Sequence, residues 1–186
     1  MAKKLKIVEL GDKILRAKAK VVSMKDLKTK KFQDLIDNMI KTCDLNEGVG
    51  IAAPQVNEGL RVFIFWSRTT KKRKNTPELG PIAIINPKIT ATSKKMVKAW
   101  EGCLSIPGIR GLVPRYQNVD VEFTTREGEK IKMSLEEFPS RIFQHELDHL
   151  NGIVFLDRTN LKDIITEKEY KKIIKELKAK SRKSKV

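Results

Sequence analysis

The two histidines of this 186-residue chain, His145 and His149, are four residues apart, and Glu146 directly follows the first. This is the pattern HExxH. On a helix, residues i and i+4 lie on one face, so both imidazoles can reach one metal ion while the carboxylate lies beside it. Hydrolytic metal sites combine neutral nitrogen ligands, an open coordination position and a carboxylate that accepts a proton from water. The spacing therefore predicts a helix that carries metal ligands.

Length and composition indicate one globular domain. The chain has 40% hydrophobic and 33% charged residues, which is typical of a folded protein rather than a disordered one. Its two cysteines, Cys43 and Cys103, have no paired spacing and do not predict a disulfide framework. The N-terminal residues lack the apolar core of a signal peptide, and no apolar run approaches bilayer length. We therefore expect a cytoplasmic protein with no membrane partner.

The charge is strongly positive. Lys and Arg number 39 and Asp and Glu 23, which gives a net charge of +16. Such a charge attracts polyanions, including nucleic acid. Aromatic residues make up only 6% of the chain, and no nucleic-acid-binding module is recognisable. We therefore expect no sequence-specific binding of nucleic acid.

Hydrophobic periodicity predicts an α+β fold. Apolar residues at three- and four-residue steps indicate an amphipathic N-terminal helix over residues 26–45. Alternation and β-branched or aromatic residues predict strands over residues 61–66, 82–85, 96–100, 119–123 and 131–133, the last two forming an antiparallel pair. The basic stretch 68–74 lies in a predicted surface loop over residues 67–80 and receives no role. We expect antiparallel or mixed sheets to pack around a central helix that carries the HExxH residues.

Two helices are predicted in the C-terminal part of the chain. Pro139 suits the first position of the HExxH helix, and Asn151-Gly152 suits its end. Thr166 and Glu169 have the spacing of a capping box at the start of an amphipathic C-terminal helix. We expect its apolar residues to pack on the domain, namely Tyr170, Ile173, Ile174 and Leu177. The predicted catalytic domain spans residues 1–178, followed by a basic, disordered tail over residues 179–186.

Two histidines need a third protein ligand, and the residues offer two candidates. Glu169 lies twenty residues after His149, a separation at which some HExxH proteases use a glutamate, although capping alone explains a glutamate there. Cys103 lies between Gly102 and the rigid turn Leu104-Ser105-Ile106-Pro107, where a thiolate could complete the set. Cys43 lies on the apolar stripe of the N-terminal helix and is interpreted as core.

Three separated segments resemble the signature motifs of peptide deformylases. They are GVGIAAPQ at residues 48–55, EGCLS at residues 101–105 and QHELDHL at residues 144–150, and the resemblance covers roughly residues 5–165. Ile51 stands where leucine is commoner. Arg141 and Ile142 stand where many members have apolar or cysteine residues.

The resemblance implies a role for each matching residue. Cys103, His145 and His149 would bind the metal, and Glu146 would be the catalytic carboxylate. The Gln55 side chain and the Leu104 backbone N–H would form the oxyanion hole. The predicted substrate-binding residues are Val49, Gly50, Ala99, Glu101, Phe138, Arg141 and Ile142, with Gly50 acting through its backbone.

The resemblance also implies an activity. Deformylases hydrolyse the N-formyl group of the N-terminal formylmethionine of nascent polypeptides and release formate. The implied cofactor is one divalent metal ion, with Fe2+ expected and Zn2+, Ni2+ or Co2+ also able to occupy the site. The implied partners are the N-formylmethionyl nascent peptide and, through the basic C-terminus, the ribosome.

The residues are compatible with two other functions. One is an HExxH zinc endopeptidase with Glu169 as the third ligand. The other is a basic RNA- or ribosome-binding protein with a structural metal, for which only Cys43 offers a spare thiolate as fourth ligand.

Overall fold

The structure, a computed structural model, describes residues 1–69 and 76–183. The helices are α1 (Met24–Leu27), α2 (Lys30–Leu45), α3 (Glu137–Leu150) and α4 (Glu167–Lys183). The strands are β1 (Gly50–Ala52), β2 (Val62–Ser67), β3 (Leu79–Thr92), β4 (Met96–Cys103), β5 (Ile106–Tyr116), β6 (Asn118–Thr124), β7 (Lys130–Glu136) and β8 (Ile164–Thr166). Short 3₁₀ helices lie at Lys13–Arg16, Ala53–Val56, Phe155–Arg158 and Leu161–Asp163.

The strands form two antiparallel sheets, which confirms the α+β fold class. The first has five strands in the order β1-β2-β3-β6-β7, and the second has three in the order β4-β5-β8. The predicted hairpin is β6–β7, in which Val121 pairs with Met133. Strands β3 and β4 are longer than predicted, and residues 70–75 of the predicted basic loop lie outside the described part of the chain.

Strand β5 was missed from the sequence. It pairs along β4, and the two strands are joined at Leu104-Ser105, where Cys103 pairs with Ile106. The strand contains Pro107 and Pro114 besides two glycines, residues that are depleted in strands and favour turns. The turn at the cysteine was anticipated, but the strand that follows it was not.

The predicted N-terminal helix is divided in two. Thr29 accepts a hydrogen bond from the Phe32 N–H and caps α2, so the long helix begins at Lys30 and α1 is a separate single turn. The apolar face of α2 is buried against β2 and β3, with Ile36 and Met39 fully inaccessible. This packing covers one face of the sheet along β1, β2 and β3.

Helix α3 carries both histidines, as predicted. It begins two residues before Pro139, at Glu137, and ends at Leu150 before Asn151-Gly152. The helix contacts strands of both sheets, including β1 and β2 of the first and β5 of the second. Phe143 is fully buried, with its ring centroid 5.2 Å from that of Phe63 on β2. Helix α3 is therefore held in place by contacts with strands of both sheets.

Helix α4 continues to Lys183, so the first five residues of the predicted disordered tail are helical and residues 184–186 lie outside the described residues. Tyr170 packs edge-on against Trp100 of β4, at a centroid distance of 6.0 Å. Leu177 is 56% exposed, so the predicted packing of the apolar stripe does not extend to it. Among the described residues, no helix is both long enough and apolar enough to cross a bilayer.

Candidate active site

The side chains of Cys103, His145 and His149 converge at the end of β4 and on one face of α3. Their ligand atoms all lie within 4.8 Å of one another, and Cys103 Sγ is 3.2 Å from His149 Nε2. A sulfur and a nitrogen bound to one tetrahedral ion are roughly 3.5 Å apart. The donor set and its spacing therefore fit one divalent ion. Within the described part of the chain, they form the group of His, Cys, Asp or Glu residues whose ligand atoms lie close enough together to bind one metal ion.

The alternative third ligand is not in this group. The Glu169 carboxylate is half-exposed and lies 2.7 Å from Lys172 Nζ, while the Glu169 N–H donates to Thr166 Oγ1. The backbone bond is one half of the predicted capping box, whereas the carboxylate that would make the other half is paired with Lys172. Cys43 is fully buried on α2, and burial raises the pKa of its thiol to about 12. Neither residue belongs to the site.

Glu101 orients His145. Glu101 Oε2 lies 2.9 Å from His145 Nδ1, so this nitrogen carries the proton and Nε2 is left to bind a metal. The ring also stacks on Phe155 at a centroid distance of 6.3 Å. Burial alone would lower the pKa of His145, but the hydrogen bonds to Cys103 and Glu101 hold it well above its usual value. A metal ion that binds Nε2 would have to displace the second proton of the ring, which lies on that nitrogen.

Glu101 is itself held by two buried arginines. Its oxygens accept from Arg115 Nε and Nη2, each at 3.0 Å, and from Arg141 Nη1 at 2.7 Å. Arg115 also pairs with Asp148, which in turn accepts from Arg158 Nη2 at 2.7 Å. A chain of charged groups therefore links the His145 ring to the surface of the domain. Sequence reasoning missed Arg115 because it lies on the missed strand β5.

Glu146 is buried beside the ligands and does not belong to the group of metal-binding atoms. Its Oε2 is buried and has no hydrogen-bond partner among the described residues. Burial raises the pKa of this carboxyl to about 7, against the opposing effect of His145. A carboxylate with a pKa in this range is suited to accept and return a proton near neutral pH. The position agrees with the predicted role, which stays a prediction.

The Gln55 side chain is oriented toward the cysteine. Its Oε1 accepts from the Ala52 N–H at 2.9 Å, which fixes which end of the amide carries the NH2 group. Nε2 then donates to Cys103 Sγ and Ser105 Oγ, both at 3.2 Å. Leu104 lies between those two residues, in the turn that joins β4 to β5. The Gln55 amide is thus directed at the cysteine turn that contains Leu104, and the role of the Leu104 N–H stays a prediction.

An N-terminal segment joins these two loops. The Val8 N–H donates to the Gln55 carbonyl and the Leu10 N–H donates to the Ser105 carbonyl, each at 2.9 Å. Residues two apart in an extended segment point their N–H groups to the same side. Residues 8–10 therefore act as a strap that fixes one loop relative to the other. The sequence motifs gave no signal for this contact.

The predicted substrate-binding residues divide into two groups. Val49 and Phe138 are partly buried and pack against a core cluster that includes Ile142, and Ala99 is half-buried on β4. The side chains of Glu101 and Arg141 are instead buried and bonded within the protein. Arg141 donates to the Val113 and Val97 carbonyls besides Glu101. Arg141 can therefore contribute only the aliphatic part of its side chain to a substrate pocket. The Glu101 carboxylate is bonded to His145.

Comparison with known proteins identifies the family to which this fold and site belong. A sequence model of the polypeptide deformylase family matches residues 4–164. The chain belongs to the polypeptide deformylase family. It is 48% identical to peptide deformylase 2 of Nostoc sp. over 91% of this chain and 94% of that protein. It is 44% identical to the peptide deformylase of Halothermothrix orenii, over 83% and 92% of the two chains.

The fold is also that of a deformylase. A Met-Ala-Ser-bound crystal structure of a class I type b peptide deformylase from Acinetobacter baumannii superposes with a TM-score of 0.82 at 40% identity, covering 85% of this chain and 99% of the other. Deformylases use a single divalent metal ion, and the Cys103, His145 and His149 group of this chain fits one.

Proposed function

We propose that this protein removes the N-formyl group from the N-terminal formylmethionine of nascent polypeptides by metal-dependent hydrolysis and releases formate. One observation carries the proposal: a Cys-His-His group, a buried carboxylate and the Gln55 amide donor meet at one place in a deformylase fold. The related Acinetobacter baumannii structure binds Met-Ala-Ser, a peptide that begins with methionine, as the product of such a reaction would.

Each residue has a defined task in this reaction. A divalent ion held by Cys103, His145 and His149 would lower the pKa of a water molecule and polarise the formyl carbonyl. Glu146 accepts a proton from the attacking water and delivers it to the leaving nitrogen. As the formyl carbon becomes tetrahedral, its oxygen gains negative charge. Gln55 Nε2 and the Leu104 N–H are placed to donate to that oxygen.

The substrate backbone would pair with β1. This strand lies at the edge of its sheet, and the Trp66 N–H donates to the Val49 carbonyl at 2.9 Å. Val49 and Trp66 therefore form a hydrogen-bonded antiparallel pair, and the polar groups of Gly50, the next residue, point to the open edge. An extended peptide can bind there by strand addition. Its methionine side chain would lie among Val49, Ala99, Phe138, Ile142 and the aliphatic part of Arg141.

Fe2+ is the metal that we propose for the native enzyme. A thiolate with two imidazoles favours borderline divalent ions, so the same ligands would also bind Zn2+, Ni2+ and Co2+. The experiment is reconstitution of the metal-free protein with each ion under anaerobic conditions. Bound metal and formate released from formyl-Met-Ala-Ser are then measured for each form. We expect one ion per chain and formate release, with the highest turnover for Fe2+.

A variant pair separates this proposal from other metal sites. Cys103→Ser should lose metal affinity and formate release together, whereas Cys43→Ala should retain both because Cys43 lies in the core, on the buried face of α2. Cleavage of an internal peptide bond without formate release would instead support an endopeptidase. Full metal binding by Cys103→Ser would remove the cysteine from the ligand set.

The ribosome is the partner that we propose for the basic C-terminus, in the cytoplasm where formylated chains are made. Residues 166–186 contain nine Lys or Arg and three Glu. This excess of positive charge suits ribosomal RNA, which is a polyanion. Helix α4 is anchored at its first turns by Tyr170 and by Glu167, which pairs with Arg110 of β5. Leu177, two turns farther along the helix than Tyr170, is exposed.

A further inference from the structure

Arg68 holds Gly48, in the loop of residues 46–49 that leads to β1. Its Nε and Nη2 both donate to the Gly48 carbonyl, at 3.2 and 3.0 Å. Its Nη1 lies 2.8 Å from Asp44 Oδ1 at the end of α2, and its Cζ lies 3.8 Å from the centroid of the Trp66 ring. The Arg68 side chain is only 16% exposed. Four contacts thus fix one guanidinium group against one backbone carbonyl.

The opposite side of Gly48 is held by α2. The Gly48 N–H donates to the Cys43 carbonyl at 2.9 Å. A Cβ atom at position 48 would lie 3.0 Å from Cys43 Sγ, so the backbone approaches the helix too closely for most side chains. Gly48 is therefore held by hydrogen bonds on both sides, since its N–H donates to α2 and its carbonyl accepts from Arg68. Its position sets where the chain enters β1, two residues later at Gly50.

A peptide bound along the open edge of β1 would run toward Gly48. The Gln55 amide and the cysteine turn lie beyond the C-terminal end of β1, so the formyl group of the substrate would lie at that end. A peptide paired with the open edge of β1 then leads past Gly50 toward Gly48, antiparallel to the strand. Residues after the formylmethionine would therefore lie along the part of the loop that Arg68 holds.

We propose that Arg68 is a positioning residue for the peptide substrate. By fixing the Gly48 carbonyl, it holds the edge of β1 in the register that pairs with the residues after the formylmethionine. This inference rests on the proposed function. Arginine is suited to the task because its planar guanidinium can donate two parallel hydrogen bonds to one side and stack on an aromatic ring. A lysine at this position could keep the ion pair with Asp44 but not the paired hydrogen bonds.

The test compares two substrates of different length, formyl-methioninamide and formyl-Met-Ala-Ser. In Arg68→Ala we expect the KM for formyl-Met-Ala-Ser to rise about tenfold, the effect of losing one charge-assisted hydrogen bond, with kcat little changed. The KM for formyl-methioninamide should stay at the wild-type value because this substrate has no later residues. Arg68→Lys should behave like Arg68→Ala, since it keeps the charge and loses the geometry.

Two control variants separate geometry from charge and from the loss of an arginine. Asp44→Asn leaves both hydrogen bonds to Gly48 and removes a half-exposed ion pair, so its KM values should stay within about twofold of wild type. Arg126→Ala removes an arginine that is bonded to Gln33 and Asp37, and it should change neither KM. Melting temperatures establish that each variant is folded.

Equal changes of KM for the two substrates, or no change for either, would overturn the positioning role. Wild-type behaviour of Arg68→Lys would show that charge rather than geometry is responsible and would overturn it as well. Failure of the wild-type protein to release formate from either substrate would instead count against the proposed function.

Discussion

The Glu146 carboxylate lies against Gly50, in the space that a side chain at position 50 would occupy. A Cβ atom built on Gly50 would fall 2.7 Å from Glu146 Cδ, well inside van der Waals contact. The edge strand β1 and the carboxylate of α3 can therefore approach each other only because residue 50 is glycine. This contact couples the edge on which we place the peptide to the group that we expect to move protons.

Replacing Gly50 by alanine should therefore displace Glu146 or β1. We expect turnover of formyl-Met-Ala-Ser to fall by about a hundredfold, the usual cost of misplacing a catalytic group by an ångström. Metal content should not change, because the three atoms nearest to the new methyl group all belong to Glu146, which is not one of the ligands. Gly59→Ala is the matched control, since a Cβ there meets no atom within 4 Å. Wild-type turnover of Gly50→Ala would show that the close approach has no catalytic importance.

Removing the Glu146 carboxylate should separate proton transfer from metal binding. We expect Glu146→Ala to retain one ion per chain and to lose about a hundredfold or more of its turnover, as is usual when a general acid-base group is deleted. Atomic absorption and formate release on the same sample would measure both. A folded but metal-free variant would show that Glu146 is a ligand after all.

The Gln55 amide should stabilise charge rather than bind the ion. Gln55→Ala is expected to lower kcat by about a hundredfold, the typical effect of losing one oxyanion donor, with little loss of metal. Gln33→Ala provides a control, because the Gln33 amide bonds to the Leu27 and Arg126 carbonyls away from the ligands. Near-wild-type turnover of Gln55→Ala would exclude it from the oxyanion hole.

Glu101 should affect both metal affinity and stability. Its carboxylate and the Arg115 side chain are 5% and 4% exposed, so Glu101→Gln removes one of the two carboxylates that pair with this buried arginine and leaves only Asp148. We expect a destabilisation of about 3–5 kcal/mol and a loss of metal affinity of about tenfold to a hundredfold as His145 loses its orienting group. Denaturant unfolding and chelator competition would measure the two effects.

The matched control is Glu122→Gln on β6. Glu122 pairs with Lys88 and Lys132, whose side chains are 64% and 81% exposed, so the change should cost little stability and leave metal affinity unaltered. Equal effects of the two substitutions would contradict an orienting role for Glu101.

The sequence predicted those parts of the site that depend on short spacing. His145, Glu146 and His149 lie on α3 because a four-residue interval repeats on one helix face. The carboxylate behind His145 was not predicted in that role, because the Glu101–Arg115 pair joins two strands and β5 had gone unrecognised. Contacts between distant segments leave no local periodicity.

Element ends were predicted less well, for local reasons. The helix break before Lys30 depends on the Thr29 cap, which competes with a continuous apolar stripe across residues 26–45. Leu177 continues the apolar spacing of α4 but extends past the strands that cover Tyr170. Periodicity shows which face of a helix is apolar, but not how far its packing partner reaches.

The basic end of the chain should matter for ribosome binding and not for hydrolysis. Residues 179–186 contain four Lys or Arg and no acidic residue. Deleting them should weaken ribosome binding and reduce the slope of log K against log salt concentration by about three, because fewer counterions are released from RNA. Hydrolysis of formyl-Met-Ala-Ser should stay unchanged. Replacing the exposed Lys3, Lys4 and Lys6 by glutamine is the control for net charge, and it should leave the slope nearly as it is. If the truncated protein keeps its ribosome affinity, the segment acts only as a solubilising tail.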